Sequence, residues 1–218
     1  MPEIRGSLME PVKYFYCLSS THRDRLELSY PDYTRWSIKT LNQVVDNPEI
    51  VICFTPPVDP ADVESLSQYN PYVRENIPAK IWSPNSVRSV TDSKIMNKVH
   101  VGEVQGELII EPDVNIMFRE DPTPLTEGEF DIAGRVLENK NNNFWSISCR
   151  FLIFKNNVQG ELAVKWLEEY NNRKHTGNIE RGLYDAAVGL GLNIKNVDRE
   201  VGEYMYHTHG GYQKWIST

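Results

Sequence analysis

An α/β fold, with a mostly parallel central sheet flanked by helices, is predicted from three features of this sequence. Short aromatic and β-branched runs alternate with segments whose apolar residues recur at helical spacing. A strand–helix–strand rhythm of this kind marks βαβ units, whose strands run parallel. The 218 residues, 40% hydrophobic and 24% charged, suffice for one substantial core, and no internal repeat or linker divides them. A single domain over residues 1–218 is therefore expected.

Residues 1–11 read as a lead-in. Val12–Leu18 is a strand that runs into the polar loop Ser19-Ser20-Thr21. Tyr33–Val45 carries Trp36, Ile38, Leu41, Val44 and Val45 at helical spacing, with Trp36 assigned to the core, and Asn47-Pro48 stops it. Ile50–Phe54 is a second strand, closed by Thr55-Pro56-Pro57. Asp59-Pro60-Ala61-Asp62 opens a helix with acids in its first turn, where the helix dipole favours them, and it runs to about Tyr69. Tyr72–Arg74 is a short third strand, Pro78–Val90 a loop, and Ser93–Val101 a short helix bearing Lys94 and Lys98.

The stretch Gly106–Arg119, GELIIEPDVNIMFR, joins an apolar run to an alternating one, with Glu111 and Asp113 either side of Pro112. Phe130–Arg135 is strand-like and Glu138–Asn143 a polar loop. Phe144–Phe154 is a strand whose Ser146 and Ser148 leave room for a ligand. Helices follow at Val158–Asn171, with Trp166 in the core, and at about Asn178–Leu190, ended by Gly189 and Gly191. Leu192–Val197 is a strand. Tyr204–His209 alternates and then turns away at Gly210-Gly211.

The formal net charge is -7, which argues against nucleic acid as the main partner, since phosphate backbones call for a basic surface. Cys17, Cys53 and Cys149 each lie in an apolar run without metal-ligand spacing, so they read as buried thiols of a reducing compartment. There is no apolar run long enough to span a membrane and no signal-peptide core at the N-terminus, so a soluble, cytoplasmic protein is expected.

Ligands of parallel sheets sit beyond the carboxyl ends of the strands. Ser19–Thr21, Thr55–Pro57 and Glu111–Asp113 all follow predicted strand ends and would converge on one edge. Two acids one residue apart at the end of an apolar strand either form a solvated turn with Pro112 at its corner, or pair with a hard divalent cation. His207 and His209 would share one strand face, and Glu111, Asp113 and one of these imidazoles would suit Mn2+ or Mg2+. Lys214 and the amides of Gly210 and Gly211 would then face a diphosphate.

In this order the segments VKYFYCLSS, TRWSIKTLNQVVDNPEIVICFTPP, LIIEPDVNIMFREDPTPL, FDIAGR with FWSISCRFLIFKN, and HTHGGYQKW resemble the GT-A-fold nucleotide-sugar glycosyltransferases, in particular the glycogenin-like and galactosyltransferase-like branch. The resemblance covers most of the chain. It implies a Rossmann-like nucleotide-sugar-binding half over about 12–118, and an acceptor half over about 119–218 that ends in the metal and diphosphate segment. Glu111-Pro112-Asp113 resembles the family's acid-x-acid metal motif, with Glu in place of the usual first Asp. HTHGGYQKW resembles the family's terminal H-x-x-G-x-x-K-P-W. His207 keeps the spacing to Gly210 but lies one residue too far from Lys214; His209 lies one too close, and no proline follows Lys214.

The implied activity is metal-dependent transfer of a sugar from a nucleoside diphosphate sugar, UDP-linked by preference, to a glycan or other hydroxyl acceptor. Ser19, Ser20 and Thr21 would lie near the nucleoside. Lys98, Arg88 and Lys214 would add charge near the phosphates, and Trp145 and Trp215 offer faces for sugars. Asp131, Glu180 and Asp185 are the candidate carboxylate bases that an inverting enzyme needs near the acceptor hydroxyl. Two alternatives stand beside this one. A sugar nucleotidyltransferase would usually carry a glycine-rich loop where this chain has SSTHRDRL, and a non-catalytic nucleotide- or carbohydrate-binding module would keep the same fold.

Overall fold

A computed structural model of the chain describes residues 11–20, 29–77, 96–139, 144–172, 179–197 and 202–207. Its strands are β1 (Lys13–Leu18), β2 (Glu49–Phe54), β3 (Tyr72–Val73), β4 (Leu108–Pro112), β5 (Ile116–Phe118), β6 (Ile132–Asn139), β7 (Phe144–Lys155), β8 (Ile194–Asn196) and β9 (Met205–His207). The helices are α1 (Tyr30–Val44), α2 (Pro60–Ser65), α3 (Gln159–Asn172) and α4 (Ile179–Gly189). Seven strands form one sheet in the order β3-β2-β1-β4-β7-β6-β8, and β5 and β9 form a separate antiparallel ribbon. In the large sheet β7 alone runs against the others. The mostly parallel α/β sheet expected from the strand–helix rhythm is the one observed.

Strand alternation sorts the core into two layers. Tyr14, Tyr16 and Leu18 of β1 join Ile38 and Leu41 of α1 on one face. Phe15 faces the other way, toward Leu162 and Trp166 of α3 and Leu183 of α4. With both faces covered, β1 reads as a continuous apolar run, as central parallel strands do.

Local chemistry fixes the ends of the elements. Ser29 and Asp32 form a reciprocal capping box and Pro31 occupies the first turn, so α1 begins three residues before the apolar spacing alone indicates. Trp36 is 39% exposed on this helix, packed edge-on against Tyr33, so its expected place in the core is corrected. The core assignment of Trp166 holds: it is 1% exposed and its indole N–H donates to the Ile179 carbonyl at 2.9 Å, tying α3 to α4. β6 continues to Asn139, with Glu138 paired opposite Trp145, so the strand reaches into the stretch read as loop. Among the described residues no helix is long and apolar enough to cross a membrane.

The segment read as a helix over Ser93–Val101 is a 3-10 turn over Asn97–Glu103 in its described part, and it is pressed onto α3. A Cβ at Gly102 would stand 2.7 Å from the Ala163 Cβ and 3.2 Å from the Gln159 carbonyl oxygen. The Gln159 amide donates to the Val104 carbonyl at 2.9 Å and fixes the segment's exit. At the opposite end of the sheet, Asp131 joins β6 to β8. Its carboxylate accepts from the Asn193 backbone N–H (2.9 Å) and the Asn156 amide (3.0 Å).

Two outcomes follow from this packing. Gly102→Ala should destabilise the protein by about 1–3 kcal/mol, the usual cost of overpacking, and thermal unfolding should show it as a lowered Tm. The Asn193 backbone N–H, followed by the Asn156 amide, holds the Asp131 carboxyl below its ordinary value. Its stabilising contribution is then present above the unfolded-state pKa of about 3.9 and is lost as pH falls through the lower folded value. The Tm gap between wild type and Asp131→Asn should be constant from pH 7 to about pH 5 and close below about pH 4; a gap that is flat down to pH 2 would refute the assignment.

Candidate functional site

β1 and β4 pair at only two rows, Lys13 with Ile109 and Tyr14 with Ile110. Past these rows β4 keeps only its ladder to β7, through Glu111–Leu152 and Pro112–Phe151. Glu111 is thus the first residue of β4 beyond the contact with β1, at the carboxyl edge of the parallel strands. By alternation it shares the face of Ile109, the face that the Asn97–Glu103 turn covers. Lys98 reaches it from that turn: the ammonium lies 3.7 Å from the carboxylate, whose side chain is fully buried, and the Lys98 side chain is 8% exposed. Neither Glu111 oxygen accepts a hydrogen bond within the described residues.

Burial pushes the Glu111 pKa up to about 7; Lys98 pulls it back and Asp113 adds to the rise. Burial also opposes the charge on Lys98, but Glu111 and then Asp113 outweigh it and hold the ammonium protonated. The pair is an ion pair without a close hydrogen bond, so the carboxylate keeps unused acceptor capacity. The thiol of Cys149 is pushed up, first by its own burial and then by Glu180. All three cysteines are free; Cys53 and Cys149 are buried and Cys17 is partly covered.

Asp113 is placed differently. It lies past the end of β4 and is partly exposed. Its N–H donates to the Arg150 carbonyl at 2.7 Å, its carbonyl accepts from Ile116 N–H at 3.0 Å, and Oδ1 accepts from Val114 N–H at 3.0 Å. The turn geometry expected of this stretch is thus observed, with a partly exposed Asp113 in it. The turn delivers the chain into β5, where Ile116 pairs with His207 of β9. The backbone thus brings His207 to within three residues of Asp113, although the two are far apart in sequence.

Asn97, beside Lys98, gathers the neighbouring loops. Its amide donates to Thr55 Oγ1 and Asn76 Oδ1, both at 2.9 Å, and its Oδ1 accepts from Ile77 N–H at 2.8 Å. The loop after β1 is tied to the loop after β2. Ser20 N–H donates to the Pro57 carbonyl (3.0 Å), and Ser20 Oγ accepts from Asp59 N–H (2.8 Å). Three expected strand-end loops, those after β1, β2 and β4, therefore lie on one edge with Ser19, Ser20, Lys98, Glu111 and Asp113. The sequence offered no signal for Asn97, whose partners come from loops that are distant along the chain.

The three candidate bases are dispersed. Asp131 sits at the amino end of β6, on the opposite edge of the sheet. Glu180, in the first turn of α4, accepts from the Cys149 backbone N–H at 3.0 Å, where β7 bulges against β6 between Gly134 and Val136. Asp185 lies 3.7 Å from Arg181 one turn away on α4. Trp145 is 45% exposed and stacks on Tyr184, ring centroids 6.4 Å apart. Thr21, Arg88, His209, Gly210, Gly211, Lys214 and Trp215 lie outside the described residues, as does the side chain of His207.

A divalent cation needs carboxylate oxygens free to turn toward it. Asp113 is partly exposed, whereas Glu111 is enclosed and already faces an ammonium. Among the described residues, no three His, Cys, Asp or Glu side chains converge as a metal would require.

No family model and no curated protein matches the sequence. Solved structures do match the fold. A galactosyltransferase LgtC, in complex with donor and acceptor sugar analogs, aligns with a TM-score of 0.55 at 10% identity, over 84% of this chain and 72% of that one. The bifunctional glycosyltransferase WbbM aligns with 0.56 at 8% identity, over 90% of this chain and 39% of that one. Mouse xyloside xylosyltransferase 1 aligns with 0.52 at 9% identity, over 92% and 98%. The chain has the fold of the GT-A glycosyltransferases.

Proposed function

We propose that the protein is a glycosyltransferase that uses a nucleoside diphosphate sugar, UDP-linked by preference, as donor and a glycan or other hydroxyl group as acceptor. The carrying observation is the edge where β1 and β4 part: an acid-x-acid pair closes β4, and the chain running on from it pairs with the segment that holds His207. The fold supports the class of reaction, since its solved neighbours are glycosyltransferases.

In this reading Asp113, with His207 or His209, holds Mn2+ or Mg2+. Such an ion neutralises the charge that develops on the leaving diphosphate. Ser19 and Ser20 line the nucleoside side of the edge, and Arg88, Lys214 and the Gly210-Gly211 amides complete the phosphate side. Transfer breaks the bond from the anomeric carbon to the diphosphate and forms one to the acceptor oxygen, whose proton leaves to a base. Of the three carboxylates weighed for that base, Glu180 is held from its helix against the strand that borders the acids, by its hydrogen bond from Cys149 N–H.

A second reading is favoured by one observation, the engagement of Glu111 with Lys98: a nucleotide- or carbohydrate-binding module that keeps the fold without turnover. UDP release from a panel of UDP-hexoses and UDP-pentoses in Mn2+ separates the two. The transferase should release UDP, and Asp113→Asn should lower the rate by at least about 100-fold, the scale of losing one transition-state stabilising group. Tight binding of a nucleotide sugar without release would favour the module. An Asp113→Asn enzyme as fast as wild type would remove the metal assignment.

A further inference from the structure

Glu111 occupies the first position of an acid-x-acid pair, yet its surroundings differ from those of a metal ligand in three ways. It is fully buried, whereas Asp113, two residues on, is partly exposed. Its side chain points to the face covered by the Asn97–Glu103 turn, while the chain beyond Pro112 leaves the sheet for the turn that carries Asp113. And the cation beside it is supplied by the chain itself: Lys98, also buried, 3.7 Å away.

The turn that carries Lys98 is fixed from several sides. Gly102 lets it approach α3 closely, Gln159 holds its exit, and Asn97 binds it to Thr55, Asn76 and Ile77. An ammonium held so firmly beside one acid occupies the electrostatic position that a divalent ion would need there. A second cation at the same carboxylate would meet like-charge repulsion in a poorly screened setting.

We infer that Lys98 is a built-in counter-cation that keeps Glu111 out of the metal site, so that Asp113 is the only carboxylate of the pair to bind the ion. Glu111 is then a positioning residue: it anchors the Lys98 turn at the end of β4 and sets where Asp113 emerges. This rests on the donor-site reading above and assigns its two acids different tasks.

The test is Mn2+ binding to the full chain, followed by the electron paramagnetic resonance signal of free Mn2+, with and without UDP. Wild type should take up one Mn2+. Asp113→Asn should weaken it at least tenfold, and Glu111→Gln should change it by less than threefold. Lys98→Met removes the competing charge and frees Glu111, so Mn2+ should bind at least threefold more tightly. Either single change at the pair leaves its partner buried and alone, and folding is therefore checked by thermal unfolding. The doubly neutral Lys98→Met/Glu111→Gln variant avoids that defect, because buried ion pairs often tolerate neutral replacement; it should bind Mn2+ within threefold of wild type. A tenfold loss in Glu111→Gln or in the double variant, or no Mn2+ uptake by wild type, overturns the inference. UDP release measured on the same proteins keeps the two readings apart. The expected Mn2+ pattern without turnover of any nucleotide sugar would retain the division of roles and remove the transferase.

Discussion

The carboxyl edge of the sheet depends on one buried contact, the ion pair between Glu111 and Lys98. A carboxylate sealed at the end of an apolar strand is costly unless a compensating charge is sealed in with it, and loss of one partner from such a pair costs about 3–5 kcal/mol. The compensating lysine does not come from the sheet: Lys13 of β1, on the same face, is bound to Glu49 and the Gln105 carbonyl. Lys98 comes from a turn laid across that face, and the turn must be held in place for the contact to persist. The close approach at Gly102 and the amide of Gln159 hold it, so the position of α3 and the charge state of the sheet edge are parts of the same constraint.

From that constraint the loops fall into place. Asn97, next to Lys98, reaches Thr55 after β2 and the chain after β3. Ser20 after β1 closes onto Pro57 and the cap of α2. Three strand ends are thereby joined by hydrogen bonds and a fourth, that of β4, by the ion pair, so an edge that would otherwise be a set of independent loops is organised before any ligand arrives. Such preorganisation keeps a binding site from losing affinity to the ordering of its own loops.

Much of this was legible in the sequence because period and punctuation are local properties. The runs at β1, β2, β4 and β7 and the amphipathic spacing of α3 and α4 gave a mostly parallel α/β sheet, and strand ends pointed to one edge. The pairing of His207 with Ile116, distant in sequence, is a tertiary feature that places β9 beside the chain running on from the acid pair. Other features were hidden because tertiary context decides them. Trp36 has helical spacing with core residues but lies at the margin of the buried stripe. Lys98 carried an expected phosphate-facing charge, and only the fold shows that its nearest acid is Glu111. Asp131 sits in a strand-like run whose direction sequence does not give; once β6 is seen to run with β4, the acid belongs to the far edge and to Asn193.

Charge sets the last requirement on the proposed function. The chain carries a formal net charge of -7, and a nucleoside diphosphate is itself an anion. Among the described residues of the sheet edge, the buried Lys98 is already matched by Glu111. An anionic donor would be repelled from such an edge unless positive charge were brought to it. Under the proposed function, a divalent ion held at Asp113 would supply that charge, and Glu111 would not, because Lys98 already faces it. In that reading the acid pair divides along the burial gradient of a single strand end: the buried member builds the edge, and the partly exposed member would let an acidic protein accept an acidic ligand.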